Sequence, residues 1–469
     1  MAKQLPGRAR VIYQSEALYV GTSDATGHHF STSSDNFATK TTHGTYSDAV
    51  AAGDPIRTGV QQLRRVQSAN YSFSINRQDV NQFGQLARID AVSIEPPTVT
   101  LDYSYYLTNG INEKLIGMDV SGQKSALSSE IIDGVVCGEA INAAGKNFFI
   151  LTTCEGHDAV GNEDTDNQSV IALGNGFVSN YSIEAAVGGM PTASVTVDGL
   201  NLRSYTGSQA LPIPAVNTNY GTPIGDVEFS IPPAISGVLN DSADDTDSET
   251  EGWSCLRPGD ITLSLGTDGR AAEFELLPGN DPRGDQGYGN TVGGHSIPTG
   301  AGPVRDEDGN ILPGQGVNDN PLEDYTVPGS AHIQSFSVDV PLSRSVLNRL
   351  GTPYGYSRVV DYPVNISVSV NAILADLKEG NIADLIWNTE EHDLVFTLRE
   401  PNPNGTGAVA MQYVVKGALL EGESFSSSIG DNKSVDLTFT AQLGGPEDKA
   451  RGLFILGSRN ALTIQDTYA

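Results

Sequence analysis

Basic side chains are scarce in this 469-residue chain: 27 Lys and Arg stand against 57 Asp and Glu, a formal net charge of −30. Such a surface does not grip nucleic acid through a basic patch or dock on an anionic membrane, because both need cations to displace counterions from a polyanion. It leaves open a protein that lets DNA pass without holding it. Cysteine is nearly absent. Cys137, Cys154 and Cys255 are odd in number and lack metal-ligand spacing, which argues against a disulfide scaffold or zinc site and for free thiols in a cytoplasmically made protein. No apolar run reaches the length of a membrane span, and the opening MAKQLPGRARVIYQ lacks the apolar stretch of a secretion signal.

Catalytic signatures are missing as well. There is no G-x-S-x-G elbow and no H-E-x-x-H, and AAGKN (143–147) lacks the upstream glycine of a phosphate-binding loop. The seven histidines are scattered. His28, His29 and His43 share a Gly/Ser/Thr-rich stretch that reads as a surface loop rather than a metal site. Neither catalytic activity nor a cofactor nor a metal is expected. A carboxylate pair for glycoside chemistry has no distinguishing sequence mark in so acidic a chain.

What is abundant is turn chemistry: 52 Gly and 24 Pro, with many Ser and Thr, alongside 38% apolar and 18% charged residues. That composition describes a folded, mainly β protein, and the length implies at least two domains.

The chain also repeats itself. VQSANYSFSINRQDVNQFG (66–84) aligns without a gap with IQSFSVDVPLSRSVLNRLG (333–351) at an offset of 267, so that Gln67, Ser68, Arg77, Asn81 and Gly84 recur as Gln334, Ser335, Arg344, Asn348 and Gly351. SIEAAVGGMPTASVTV (182–197) matches SFSSSIGDNKSVDLTF (424–439) at 242, and LYVGT (18–22) matches LSLGT (263–267) at 245. Three blocks in the same order point to a diverged tandem duplication. The expected domains are 10–204 and 258–457. Residues 205–257 are a linker holding the acidic run NDSADDTDSETEG, 268–332 an acidic, Gly-rich insertion in the second domain, and 458–469 a tail. The acidic run does not fit a calcium loop and reads as solvated connector.

Within the blocks, apolar and polar residues alternate. Ala69, Tyr71, Phe73 and Ile75 interleave with Ser68, Asn70, Ser72 and Ser74; Phe336, Val338, Val340 and Leu342 interleave with Ser335, Ser337 and Asp339. Val99 to Leu107 and Ile366 to Leu374 behave likewise, and a hairpin is expected around GGMP and around GDNK. Each copy therefore offers about four strands with one face on a core and one face wet. A short helix is expected after the first strand of each block, capped by Asn76 or Ser343 and stopped by Gly84 or Gly351, and another at 376–387. The wet faces carry Ser, Thr, Asn and the acids Asp102, Glu184, Asp198, Asp339 and Asp436, but no Lys or Arg. Such a face suits a surface past which a polyanion slides; it is equally an ordinary Ser/Thr-rich solvent face.

These phrases, with FVSNYSIEAAVGGMPTASVTVDGL, CLRPGDITLSLG and VDYPVNISVSVNAILADLKEGNIADLI, resemble the tail tube (major tail) proteins of tailed bacteriophages, in the form with a duplicated tube domain. The resemblance spans most of 10–200 and 255–457. It implies two tandem β-sandwich or half-barrel domains, each with a flanking helix, whose inner sheets join in a ring of six domains. Three chains would supply that ring, and stacked rings would conduct genomic DNA in the virion tail. Lining candidates are then Asn70, Ser72, Asp102, Asp198, Asp339, Ser369 and Asp436. The loops 23–65 and 268–332 become ring-stacking candidates, with Thr41, His43, Asp54, Asp285, Asp306 and Asp308 among them. Residues 236–327 hold 18 acids and 4 bases, a net of −14, so part of the acidity belongs on an exterior insertion. The implied partners are further copies of the chain, initiator or baseplate and terminator proteins, a sheath if the tail is contractile, and DNA in transit; no membrane is implied. The alternatives are another tail component of similar fold, such as a terminator or baseplate hub, and a carbohydrate-binding or hydrolysing β protein.

Overall fold

The computed structural model describes residues 16–22, 60–122, 125–127, 131, 145–154, 157–160, 168–208, 211–217, 222–223, 228–229, 231, 234, 255–258, 261–267, 331–348, 350–351, 354–355, 357–374, 391–401, 409–426, 434–445, 448 and 451–457. These are mainly β. The first half contributes β1 (Glu16–Thr22), β2 (Val60–Gln62), β3 (Val66–Ser74), β4 (Arg77–Val80), β5 (Asp90–Ser93), β6 (Thr98–Tyr106), the short helix α1 (Ile111–Leu115), β7 (Lys146–Thr152), β8 (Ser169–Ala186), β9 (Thr192–Gly199) and β10 (Asn201–Thr206). Four two-residue strands follow, β11 (Leu211–Pro212), β12 (Val216–Asn217), β13 (Thr222–Pro223) and β14 (Glu228–Phe229). The second half holds β15 (Ile261–Thr267), β16 (Ala331–Pro341), β17 (Arg344–Leu347), β18 (Ser357–Val360), β19 (Asn365–Leu374), β20 (His392–Arg399), β21 (Val409–Ser426), β22 (Ser434–Gln442) and β23 (Gly452–Leu456).

Both halves follow one pairing scheme. In the first, β3-β6-β9-β8 form one antiparallel sheet and β1-β7-β8-β10 another; in the second, β16-β19-β22-β21 and β15-β20-β21-β23 do the same. The register repeats too. Asn70 faces Asp102 as Ser337 faces Ser369, and Thr100 faces Asp198 as Ser367 faces Thr440. Each half therefore hinges on one 18-residue strand, β8 or β21, whose two ends belong to different sheets. The bend is built the same way in both. Asn175 and Gly417 hold left-handed φ angles of 51° and 69°, which Asn and Gly tolerate best. The backbone N–H of each donates to a neighbouring strand's side chain, Asn147 Oδ1 at 3.2 Å or Asp393 Oδ1 at 3.1 Å.

The inward residues of these sheets merge into one core that spans both halves, from Leu18, Leu101 and Ile183 to Val338, Phe396 and Phe439. A second, smaller core lies on the other side of the β1-β7-β8 sheet, where Leu211, Ile213, Ala215, Ile231 and Ala234 from the stretch expected as linker cover Tyr19, Phe149 and Ala172. The short helices expected after β3 and β16 are not helices. Residues 77–80 pair with 90–93, and 344–347 with 357–360, as antiparallel hairpins. Gly84 and Gly351 do hold the positive φ expected of them, 87° and 93°, but between hairpin strands rather than at helix ends. The expected helix at 376–387 and the acidic run of the linker lie outside the described residues.

Candidate functional site

The two inner sheets are continuous. β16 pairs with β8 from Ser335 opposite Ala186 to Pro341 opposite Asn180, giving one eight-stranded sheet in the order β3-β6-β9-β8-β16-β19-β22-β21. Backbone bonds extend this joint at both ends, from Val187 N to Gln334 O (2.8 Å) and from Leu342 N to Ser179 O (2.9 Å). One face is the core. The other is polar, and it carries all seven lining candidates. Asn70, Asp102, Thr196 and Asn180 form one row across four strands; Glu184, Ser337, Ser369 and Thr438 form another. Ser72 pairs with Thr100, Asp339 with Ser182 and Ser367, and Asp436 with Asn371 and Ser424.

Several short side chains on this face pair with one another. Thr196 donates to Asp102 Oδ1 at 2.8 Å, Ser72 and Thr100 share a hydrogen bond of 2.6 Å, and Asn371 Nδ2 donates to Asp436. None of the inner-sheet stretches of the eight strands contains Lys or Arg. Asp198 differs from the other six candidates: it sits at the sheet's rim, its carboxylate 3.9 Å from the Arg358 guanidinium. The stacking candidates Thr41, His43, Asp54, Asp285, Asp306 and Asp308 lie outside the described residues.

The joint has a second layer that sequence patterning missed. The β17–β18 hairpin leaves the end of β16 and packs over the first half. Arg344 Nε donates to Val178 O (2.9 Å) and its Nη2 to Ile131 O (3.1 Å), while Arg358 Nη2 donates to Gly199 O (3.2 Å). Both guanidinium groups lie over the Phe177 ring, 5.4 and 5.9 Å from its centroid. Burial, then the neighbouring Arg358 charge, pull Arg344 down to about 10, with Asp198 and Tyr362 opposing; it remains cationic at neutral pH. Arg358 is likewise lowered by burial and partly restored by Asp198.

A third tie is the Glu113 carboxyl on α1. Its Oε1 accepts from Tyr105 (2.8 Å) and Tyr181 (3.2 Å) of the first half and from Tyr413 (3.4 Å) of the second, and the Tyr181 and Tyr413 hydroxyls are 3.0 Å apart. Burial raises its pKa, against the opposing hydrogen bonds.

The sheet ends in two edges that have no partner strand among the described residues: β3 at one side and the 419–426 end of β21 at the other. Their state is the clearest asymmetry in the molecule. Tyr71 and Phe73 of β3 are each 47% exposed, whereas the matching Val338 and Val340 of β16 are fully buried against β8. At the far edge Leu419 is 44% exposed, whereas the matching Phe177 is 4% exposed beneath the two arginines. Among the described residues, no group of three or more His, Cys, Asp or Glu could hold a metal, and no helix is long and apolar enough to cross a membrane.

No family model and no curated protein matches the chain. Solved structures resemble it in part. They include the tail of an empty gene transfer agent (GTA) particle refined helically with C6 symmetry (15% identity over 24% of this chain and 80% of that one, TM-score 0.16). The virion of a native GTA particle gives 14% identity over 25% and 79%, TM-score 0.15, and a crystal structure of Hcp protein 12% over 26% and 73%, TM-score 0.16. Likeness of that extent carries no functional weight; the chain's own sheet does.

Proposed function

We propose that the chain is a structural protomer of a phage-tail-like tube, a product of tandem duplication in which three chains close head to tail into a ring of six halves. The observation that carries this reading is the β8–β16 joint. It is heterologous: the last inner strand of one half pairs with the first inner strand of the next, so the same operation applied again adds a further half. The exposed edges are the two surfaces that operation leaves over. An apolar edge strand with no Lys to guard it is an aggregation hazard in a lone chain and a seam in a closed ring.

Transferring the internal register to two chains sets Ser72 against Ser424 and Ser74 against Gly422 of the neighbour, the counterparts of Asp339 with Ser182 and Pro341 with Asn180. Three chains then make 24 inner strands. Spaced about 4.8 Å apart, these form a backbone circle roughly 37 Å across, which strand tilt widens further. The apolar face is covered by the outer sheets, so the polar, acid-bearing face lines the hole. Asn70, Ser72, Asp102, Asp339, Ser369 and Asp436 would face DNA there, and repulsion by the carboxylates would keep it moving. Rings would stack into the tube, capped by initiator and terminator proteins.

Negative-stain electron microscopy of the concentrated protein tests this: rings or tubes with three-fold symmetry and a central hole are expected. Oxidation of the Ser72→Cys/Ser424→Cys double variant tests the seam. Cross-strand Cα atoms of such a pair lie within disulfide reach, so a ladder on a non-reducing gel should stop at three chains. A ladder that continues past three, or no inter-chain bond at all, would sink the closed ring.

A further inference from the structure

We infer that the β4–β5 hairpin is an inter-chain clamp that docks on the 419–420 rim of a second copy of this chain, through Arg77 but without the ion pair that its counterpart makes inside the chain. This rests on the ring reading and specifies its contact outside the sheet. The β17–β18 hairpin already shows the docked state. In it, Arg344 reaches the Val178 carbonyl and lies over Phe177, and Arg358 reaches the Gly199 carbonyl beside Asp198. The β4–β5 hairpin has the same internal register, Arg77 opposite Ser93 as Arg344 is opposite Val360, yet all of β4 is exposed. Arg77 stands where Arg344 does. The rim it would meet is Leu419 and Leu420, which pair with Thr440 and Phe439 as Phe177 and Val178 pair with Asp198 and Val197.

The second arginine and its carboxylate are both absent from the proposed contact. Arg358 corresponds to Ala91, and Asp198 corresponds to Thr440, in the registers that align the two hairpins and the two rims. Arg358 without Asp198 would leave a largely buried guanidinium without its carboxylate, so the absence of both removes that pair as a unit and leaves Arg77 to bond the rim carbonyl as Arg344 does. The hairpin base is the docking part. Ile75 at its root is 38% exposed while the matching Leu342 is fully buried, whereas the tips, Phe83 and Leu350, are exposed in both hairpins. Docking would carry Ile75 N–H to the neighbour's Glu421 carbonyl, as Leu342 N–H reaches Ser179.

The test reads seam formation as inter-chain disulfide yield against protein concentration in the Ser72→Cys/Ser424→Cys background, with thermal melts of the unassembled chain as a folding control. Arg77→Ala should raise the half-yield concentration roughly tenfold or more, the loss expected for a charge-assisted bond to a carbonyl. It should leave the melt unchanged, whereas Arg344→Ala should lower the melt. Ala91→Arg alone should weaken the seam, and adding Thr440→Asp should recover it, because the pair rebuilds Arg358 with Asp198. If the seam forms but Arg77→Ala has no effect and the two added charges act independently, the clamp is wrong and the ring survives. If the parent pair never cross-links between chains, the ring reading falls and the clamp with it.

Discussion

Glu113 brings a carboxyl into the shared core, where three phenols from two halves meet one of its oxygens. Burial outweighs those bonds and raises its pKa above 4.5, so the folded chain holds a proton that the unfolded chain releases. Stability from this group is therefore complete below the unfolded pKa and is lost as pH rises through the folded one. Glu113→Gln should accordingly gain on the wild type as pH rises from acid to neutral, read from paired denaturant titrations. A constant difference across that range would mean the carboxyl is not the titrating group. Tyr413→Phe should cost about 1 kcal/mol, because it removes the second half's only hydroxyl in the cluster among the described residues.

At the scale of elements, β3 and β16 are near-identical in pattern and opposite in environment. Val338→Ser removes a fully buried side chain and leaves a hydroxyl in the core, so the isolated chain should lose about 2–4 kcal/mol. Tyr71→Ser at the matching position should change the isolated chain far less and abolish seam cross-linking instead. Equal losses of monomer stability would show that β3 is not a vacant edge. This contrast was not legible in the sequence, because alternation marks which side chains share a face but not whether another strand lies beside them. Alternation did place β3, β6, β9, β16, β19 and β22 and the polar identity of their shared face. It missed β7 and β20, since KNFFILT is buried on both faces and so does not alternate. It also misread 77–83 and 344–350, because Asn76 or Ser343 followed by a positive-φ glycine serves a hairpin as well as a helix. The pairing of residues 77–80 with 90–93, which decides the matter, is not a local property.

Over the whole molecule, like-charge repulsion would oppose the proposed assembly. Three chains would bring 3 × −30 = −90 into the proposed ring. Ring formation should therefore strengthen as salt rises from low to physiological ionic strength, opposite to an assembly held by ion pairs, and sedimentation velocity across a salt series would reveal it. Replacing Asp102, Asp339 and Asp436 with Lys should leave the seams intact, since none lies at a rim, but give assembled rings a salt-sensitive hold on short duplex DNA that the wild type lacks. Fluorescence anisotropy would measure it, and unchanged DNA indifference would argue that this face does not line the channel.

The joint between β8 and β16 also has an arithmetic consequence. Because halves are covalently joined in twos, any ring closed by whole chains contains an even number of them. Miscounts of five or seven, the nearest in curvature to six, are unavailable, and the remaining errors, four and eight, require far larger changes of angle at every seam. Parity of this kind would proofread the size of the proposed ring without a template.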